Sequence, residues 1–158
     1  MVATLRWKSP VGPLYITLSE KAVHAIEFKG RATSSAPPKP LAPLFQKVTN
    51  QVEAYLAGKR RAFDLPLAPL PAGTPFQEKV WAALCAIPYG EVLTYADLAQ
   101  WAKHPKAARA AGGACGANRI AIVIPCHRAV AKGGLGGFGG GLPLKRRLLL
   151  LERNGVLP

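Results

Sequence analysis

The first third of the chain contains three short runs in which apolar and polar residues alternate. They cover residues 4–8, 14–18 and 23–28, with turn-forming residues between them. A period of two is typical of strands that bury one face. Apolar residues at helical spacing follow over residues 44–56. The pattern therefore predicts an α/β N-terminal domain made of a small antiparallel sheet and a helix.

A proline-rich stretch interrupts the pattern at residues 65–71. Proline has no backbone N–H and disfavours helix in the residue before it, so this stretch is predicted to be an extended linker. We place the domain boundary there. The N-terminal domain with its linker then covers residues 1–71, and a C-terminal domain covers residues 72–158.

The C-terminal part carries the signals of several short helices. A Thr cap, a Pro and a Gln stand at capping-box spacing in residues 74–77. Thr94 can cap a second helix over residues 95–102, and Pro105 can open a third that continues through Ala111. Two short helices joined by a tight turn form the helix-turn-helix pattern of many DNA-binding proteins. This part is therefore predicted to be mainly helical.

Charge favours an interaction with nucleic acid. The chain has 21 Lys and Arg residues against 8 Asp and Glu residues, a net charge of +13. Residues 98–151 contain nine basic residues and no Asp or Glu. This acid-free stretch spans the second helix of the helix-turn-helix and suits a phosphate backbone. Small residues dominate that helix, residues 106–114, and Arg109 is the long side chain placed to enter the base stack.

Composition excludes several other classes of protein. Hydrophobic residues make up 49% of the chain and charged residues 18%, which is incompatible with a disordered chain. No apolar run approaches the ~18 residues of a membrane span. The N-terminus lacks the long apolar core of a signal peptide. We therefore expect a cytoplasmic protein with no membrane partner.

The chain has three cysteines, Cys85, Cys115 and Cys126. An odd number without a CxxC pair argues against a disulfide framework and against a zinc site built on cysteines. We expect no metal and no cofactor.

Cys126 is the candidate for chemistry. An apolar, strand-like run over residues 120–124 leads into Pro125, Cys126 and His127. A thiol is nucleophilic as the thiolate, which neighbouring basic side chains favour. Neighbouring residues of a strand point to opposite faces, so Cys126 and His127 can cooperate only through a turn or a bridging water. Pro125 is a suitable place for such a turn.

Two further features each allow more than one interpretation. Glu152, a candidate partner for the imidazole, lies in a leucine-rich helix between Pro143 and Gly155. Its spacing fits a solvent-facing stripe and a buried functional acid equally well. The glycine-rich residues 133–141 fit a flexible loop, or a loop whose bare amides approach a flat ligand. They lack the context of the phosphate-binding motifs.

Residues 76–155 carry a series of short motifs whose combined order is specific. The motifs are Tyr-Gly-Glu-Val (89–92), Thr-Tyr (94–95), Pro-Lys-Ala-Ala-Arg-Ala (105–110), Gly-Gly-Ala (112–114), Asn118, Ile-Pro-Cys-His-Arg (124–128), Gly-Gly-Leu (140–142) and Glu152. In this order the segment resembles the O6-alkylguanine-DNA alkyltransferases, also called methylated-DNA–protein-cysteine methyltransferases. The N-terminal part resembles them only loosely, through residues 9–14.

The resemblance implies a winged-helix-like C-terminal domain whose recognition helix enters the minor groove of double-stranded DNA. Arg109 would take the place of the nucleotide that is flipped out of the duplex. The residues expected to bind DNA are Thr94, Lys106, Ala107, Ala108, Arg109, Ala110, Gly112 and Arg128.

The resemblance also implies a reaction with alkylated guanine. Cys126 would attack the alkyl carbon by in-line displacement, while Glu152, His127 and a bound water take the thiol proton. Tyr95 would donate a hydrogen bond to a ring nitrogen of guanine, and Asn118 would fix the turn that holds the site. The thioether product is stable, so each molecule would react once.

A pocket for the base is implied as well. Backbone groups near Ala129 and Gly139 would read the edge of guanine. Phe138 and Gly139 depart from the Tyr and the polar residue common in the family, which leaves the range of alkyl groups open. We interpret Cys115 as a packing residue. The residues expected to line the pocket are Cys115, Ala129, Phe138, Gly139 and Gly140.

Two other functions are consistent with these residues. One is a DNA-damage-binding module without chemistry, and the other is a thiol hydrolase that uses Cys126, His127 and Glu152. The resemblance favours a monomer that repairs DNA in a single turnover. It leaves cooperative binding on DNA and activity on O4-alkylthymine open.

Overall fold

The computed structural model describes residues 1–69 and 73–158. The chain forms two compact units. The first contains the N-terminal residues and, from later in the chain, Arg119–Ala121, and the second contains the rest of the C-terminal half. The predicted boundary between residues 71 and 72 lies outside the described residues.

The first unit is built on a three-stranded antiparallel sheet with a helix packed against it. Its elements are β1 (Val2–Ser9), β2 (Gly12–Ser19), β3 (Val23–Glu27) and α1 (Ala42–Leu56). Strands β1, β2 and β3 pair in chain order.

The alternation of the strands and the helical spacing of α1 meet in one core. Helix α1 packs against β2, and Leu14 and Ile16 of β2, like Val48 and Val52 of α1, are fully buried. Burial of such side chains contributes roughly 1.5–3 kcal/mol each. Gly12 has a φ of +103°, so it makes the turn into β2 that a larger residue would strain.

The second unit is mainly helical. The predicted helix caps at Thr74 and Thr94 are both confirmed, and each forms a capping box. Gly155, with a φ of +80°, ends the last helix. The elements of this unit are α2 (Pro75–Cys85), β4 (Leu93–Thr94), α3 (Tyr95–Trp101), α4 (Ala108–Gly116), β5 (Ala129–Val130) and α5 (Leu142–Asn154). The two very short strands, β4 and β5, pair in parallel.

Helices α3 and α4 pack against each other and are joined by residues 102–107. The prediction that α4 starts at Pro105 is wrong by three residues. A turn forms instead, in which Ala107 N–H donates to the His104 carbonyl at 2.9 Å, and the helix begins at Ala108. On the inner side of α4, the indole of Trp81 donates to the Ala114 carbonyl at 2.8 Å and ties the helix to α2.

The expectation of a strand-like run over residues 120–124 is also wrong. Only Ile120 bridges to a strand residue, Ile26, and the chain then turns. Ile122 has a φ of +71° and is buried, a conformation that is unfavourable for a β-branched residue. Tertiary contacts therefore override the high strand propensity of this segment.

The predicted fold class is confirmed, since a small antiparallel sheet with a helix precedes a mainly helical region. The winged-helix-like form stays a prediction. Among the residues that the structure describes, no helix is long and apolar enough to cross a membrane.

Candidate active site

Cys126 begins a single 3-10 turn, Cys126–Arg128, directly after Pro125. This turn takes the place of the extended strand, in which Cys126 and His127 would point to opposite faces. The side chain of Asn118 supports it, because its Nδ2 donates to the Ile124 carbonyl at 2.9 Å. Asn118 thereby ties the end of the α4 segment to the chain just before the cysteine.

The Cys126 thiol is half-buried. Burial raises its pKa above the usual value, while a hydrogen bond from Asn118 and the positive charge of Lys145 oppose the rise. The resting site therefore holds a thiol whose anion is partly stabilised. A base is needed to complete its deprotonation.

The side chain of His127 is fully buried and contacts Glu152. Its Nε2 lies 2.6 Å from Oε2 of the carboxylate. Burial lowers the pKa of His127, and the hydrogen bond and charge of Glu152 oppose that change. The imidazole is thus neutral at rest and has a partner that stabilises it when it gains a proton.

The spacing of Glu152 allowed a solvent-facing stripe or a buried acid, and the structure shows a buried carboxylate. Besides His127, it accepts hydrogen bonds from Nε of Arg128 at 2.8 Å, Nη2 of Arg128 at 3.1 Å and the Gly90 amide at 3.0 Å. A buried carboxylate with this many charged and polar donors stays ionised. It can therefore fix the imidazole and remain an anion through a proton transfer.

The prediction that Arg128 binds DNA is wrong for its side chain. The guanidinium is buried, pairs with Glu152 and donates to the Ile87 carbonyl at 2.8 Å. It also lies over the ring of Tyr89, 5.7 Å from its centroid. These contacts leave no exposed guanidinium for a phosphate, so Arg128 holds Glu152 in place.

Tyr95, the first residue of α3, is packed between two glycines. A Cβ atom at Gly112 would lie 3.7 Å from the ring, and one at Gly136 would overlap the hydroxyl. Burial raises the pKa of Tyr95, and the neighbouring thiols Cys115 and Cys126 raise it further. The phenol therefore keeps its proton and can donate a hydrogen bond.

The expected pocket residues lie around this centre in different degrees of exposure. The ring of Phe138 meets that of His127 edge to face, with 6.5 Å between centroids. Gly139 is exposed and Gly140 half-buried, whereas Ala129 is buried. Cys115 is buried, and burial raises the pKa of its thiol to about 12, so it is a packing residue at neutral pH.

A groove of about 310 Å³ opens beside α3 and α4. It brings together four predicted site residues, Thr94, Tyr95, Ala108 and Arg109, and adds Lys132, which was not among the predicted site residues. Arg109 and Ala110 are exposed on α4, and Lys106 is exposed in the turn before it. The residues that line the groove are Thr94, Tyr95, Ala96, Ala108, Arg109, Ala131 and Lys132.

The remaining residues expected to bind DNA differ in their placement. Ala107 is half-buried and precedes α4, so it belongs to the turn and not to the helix as predicted. Ala108 and Gly112 are half-buried on α4 itself, and Gly112 faces Tyr95. Within residues 1–69 and 73–158, no group of three or more His, Cys, Asp or Glu side chains is arranged to hold a metal ion.

Two family models match consecutive parts of the chain. "6-O-methylguanine DNA methyltransferase, ribonuclease-like domain" matches residues 2–69, and "6-O-methylguanine DNA methyltransferase, DNA binding domain" matches residues 75–154. The chain belongs to the 6-O-methylguanine DNA methyltransferase family. The second model spans the helix-turn-helix, Cys126 and Glu152, so the site described above lies within it.

Individual members of this family are similar over nearly the whole chain. The methylated-DNA–protein-cysteine methyltransferase of Methanosarcina mazei is 44% identical over 153 residues, 94% of this chain and 96% of the relative. The Haemophilus influenzae protein of that name is 44% identical over 152 residues, 93% and 84% of the two chains. The crystal structure of Mycobacterium tuberculosis OGT in complex with DNA has a TM-score of 0.85 at 38% identity and covers 97% of this chain and 94% of that chain.

Besides Lys132 in the groove, three residues of this family member were missed as parts of the site. Gly90 donates its amide to Glu152, and its φ of +84° requires glycine. Gly136 makes room for Tyr95, and Lys145 is buried behind the glycine-rich loop. The Tyr-Gly-Glu-Val motif already contained Gly90, whereas no sequence signal separated Lys145 from the exposed basic residues.

Proposed function

We propose that this family member repairs DNA by moving an alkyl group from O6 of guanine to the sulfur of Cys126. The observation that carries the proposal is a half-buried cysteine, Cys126, followed directly in the same 3-10 turn by His127, whose buried side chain is paired with Glu152. The match to the family's DNA-binding domain and the likeness to a mycobacterial OGT crystallised with DNA support DNA as the partner. The relatives' shared name supports the class of reaction, S-alkylation of a protein cysteine.

Access to O6 requires that the base leave the duplex, because this atom lies inside the stack. Arg109 is exposed on α4 and shares its groove with Tyr95. In our proposal α4 lies in the minor groove, and the small residues of its surface let the backbone approach closely. The guanidinium then fills the gap that the extruded nucleotide leaves.

The proton of Cys126 is the first to move. Because Nε2 of His127 is paired with Glu152, the imidazole accepts the proton at Nδ1, relayed by a water. The imidazolium that forms is stabilised by the ionised carboxylate at 2.6 Å. Arg128 and Gly90 keep that carboxylate oriented toward the ring.

The thiolate then attacks the alkyl carbon in line with its bond to O6. The new C–S bond forms as the C–O6 bond breaks, and the electron pair of the broken bond goes to the guanine oxygen and ring. Tyr95 donates its hydroxyl hydrogen to a ring nitrogen as that charge develops. The proton that His127 took from Cys126 then passes by way of solvent to the Tyr95 oxygen, so that guanine, Tyr95 and His127 all end neutral. The products are unmodified guanine and a stable S-alkylcysteine, which ends activity after one turnover.

Substrate range depends on the pocket wall. Phe138 has no hydroxyl, and Gly139, next to it, has no side chain, so the hydrogen-bonding groups in this part of the wall are those of the backbone. Cys115 adds a buried, protonated thiol. In our proposal Ala129, Gly139 and Gly140 contact the base through the backbone.

Intact-mass measurement after incubation with an O6-methylguanine duplex tests this function. We expect a gain of one methyl group per chain and no further turnover, with none gained by Cys126→Ser. A protein that binds the duplex but gains no mass would be a damage-binding module. Release of product beyond one equivalent would indicate a hydrolase, and either result would contradict the proposal.

A further inference from the structure

Lys145 is a fully buried lysine on α5. The acid-free stretch that contains it had suggested a contact with the phosphate backbone, but its burial rules out that role for the side chain. Among the described residues, no carboxylate lies within ion-pair distance of its ammonium. A buried charge without a counter-ion is costly unless hydrogen bonds replace its hydration.

Backbone carbonyls supply these hydrogen bonds. The ammonium donates to the carbonyl of Ala129 at 2.6 Å, to that of Gly137 at 3.0 Å and to that of Leu135. A lysine ammonium has three N–H groups, so its donors are fully used. Two of the acceptors belong to the glycine-rich loop, residues 133–141, and the third belongs to β5, three residues after Cys126.

The ammonium also faces the reacting groups. It lies over the ring of Tyr95, 5.8 Å from the centroid. Its positive charge lowers the pKa values of both Cys126 and Cys115, and those thiols in turn raise the pKa of Lys145 against the effect of burial. The groups near the ammonium are therefore the Tyr95 phenol on α3, the Cys115 thiol on α4 and the candidate nucleophile, Cys126.

We propose that Lys145 is a positioning residue, which fastens the glycine-rich loop to β5 and keeps a positive charge beside Cys126. This inference rests on the alkyl transfer proposed above. The loop consists largely of glycine, so its own side chains cannot fix its shape, and an external anchor is needed. Three converging carbonyls and one ammonium provide that anchor at the wall against which the base would lie.

Two substitutions separate the anchor from the charge. Lys145→Met removes both and retains the length of the side chain, whereas Lys145→Arg keeps the charge but replaces three converging N–H bonds by a planar fork. Arg153→Met is the matched control, because Arg153 is an exposed cation on the same helix. Folding of each variant is checked by circular dichroism and thermal melting.

Three measurements are made on each variant. The first is amide hydrogen exchange of the glycine-rich loop. The second is the rate at which iodoacetamide alkylates Cys126 as a function of pH, measured by peptide mass. The third is the rate of methyl transfer from an O6-methylguanine duplex.

For Lys145→Met we expect faster loop exchange, a higher pKa of the Cys126 thiol and methyl transfer slowed about 10- to 100-fold, since misplaced groups reduce the rate on this scale. For Lys145→Arg we expect faster loop exchange and slower transfer with a thiol pKa near that of the unmodified protein. Arg153→Met should change none of the three.

Several outcomes would overturn the proposal. Unchanged loop exchange in folded Lys145→Met or Lys145→Arg would remove the anchor, and an unchanged thiol pKa in Lys145→Met would remove the electrostatic role. If Lys145→Met does not fold, normal transfer and loop exchange in Lys145→Arg would refute the anchor. If the unmodified protein gains no methyl group, the proposed function fails, and the exchange and pKa differences still decide the role of Lys145.

Discussion

Nε2 of His127 lies 2.6 Å from Oε2 of Glu152, and both side chains are buried. The imidazole therefore has one nitrogen committed to the carboxylate, and Nδ1 is the position at which it can take a proton. Arg128 donates two hydrogen bonds to the same carboxylate, one to each oxygen. The carboxylate of Glu152 therefore pairs with both His127 and the permanently charged Arg128, so the loss of its charge would affect both partners.

Glu152→Gln should slow methyl transfer and also destabilise the fold. The amide cannot stabilise the imidazolium, and it leaves the buried guanidinium of Arg128 unpaired, which costs about 3–5 kcal/mol. Thermal unfolding and single-turnover rates measure the two effects. Glu78→Gln is the control, since Glu78 is an exposed carboxylate on α2. Normal stability and a normal rate in Glu152→Gln would refute the role of the carboxylate.

Cys126 should react with iodoacetamide before Cys115. Cys115 has a pKa of about 12 and is buried, so about one part in ten thousand is thiolate at pH 8. Because burial also raises the pKa of Cys126, its alkylation rate should keep rising with pH beyond the range of a free thiol. Peptide mass mapping over a pH series measures both. Labelling of Cys115 first would contradict the assignment of the reactive thiol.

Arg109→Ala should impair repair of duplex DNA far more than reaction with O6-benzylguanine as a free base. Extrusion of a base costs a few kcal/mol, so we expect roughly a 10- to 100-fold loss with the duplex and little change with the free base. Lys79→Ala, which removes an exposed charge from α2, controls for net charge. Equal losses with both substrates would show that Arg109 does not assist base extrusion.

Gly136→Ala should disrupt the site, whereas Gly134→Ala should not. Gly136 has a φ of +75°, where a side chain costs about 1–2 kcal/mol, and its Cβ would overlap the hydroxyl of Tyr95. Gly134 has no heavy atom within 4 Å of its Cβ position. Methyl-transfer rates of the two variants test this difference. Equal rates would mean that the loop does not pack on Tyr95 during the reaction.

Much of the local structure could be predicted from the sequence because its causes are local. A threonine with an acceptor three residues later caps a helix wherever it occurs, so the starts of α2 and α3 followed from residues 74–77 and 94–97. Alternation with a period of two predicted the three strands of the first unit. The motif series around Cys126 indicated the family before any contact was known.

Three features were decided only by tertiary structure, because burial depends on what packs against a residue from elsewhere in the chain. In the sequence, nothing distinguishes Arg128 from the other basic residues, whereas in the structure its guanidinium binds Glu152 and the Ile87 carbonyl. The acid-free stretch favours a phosphate contact for Lys145, whereas in the structure its ammonium donates to three backbone carbonyls. Ile122, a strong strand former, adopts a left-handed turn since the segment around it is held at both ends, by the bridge at Ile120 and by Asn118 at the Ile124 carbonyl. Pattern and motif thus determined which residues carry the chemistry, and long-range packing determined which charges face water and which hold the site together.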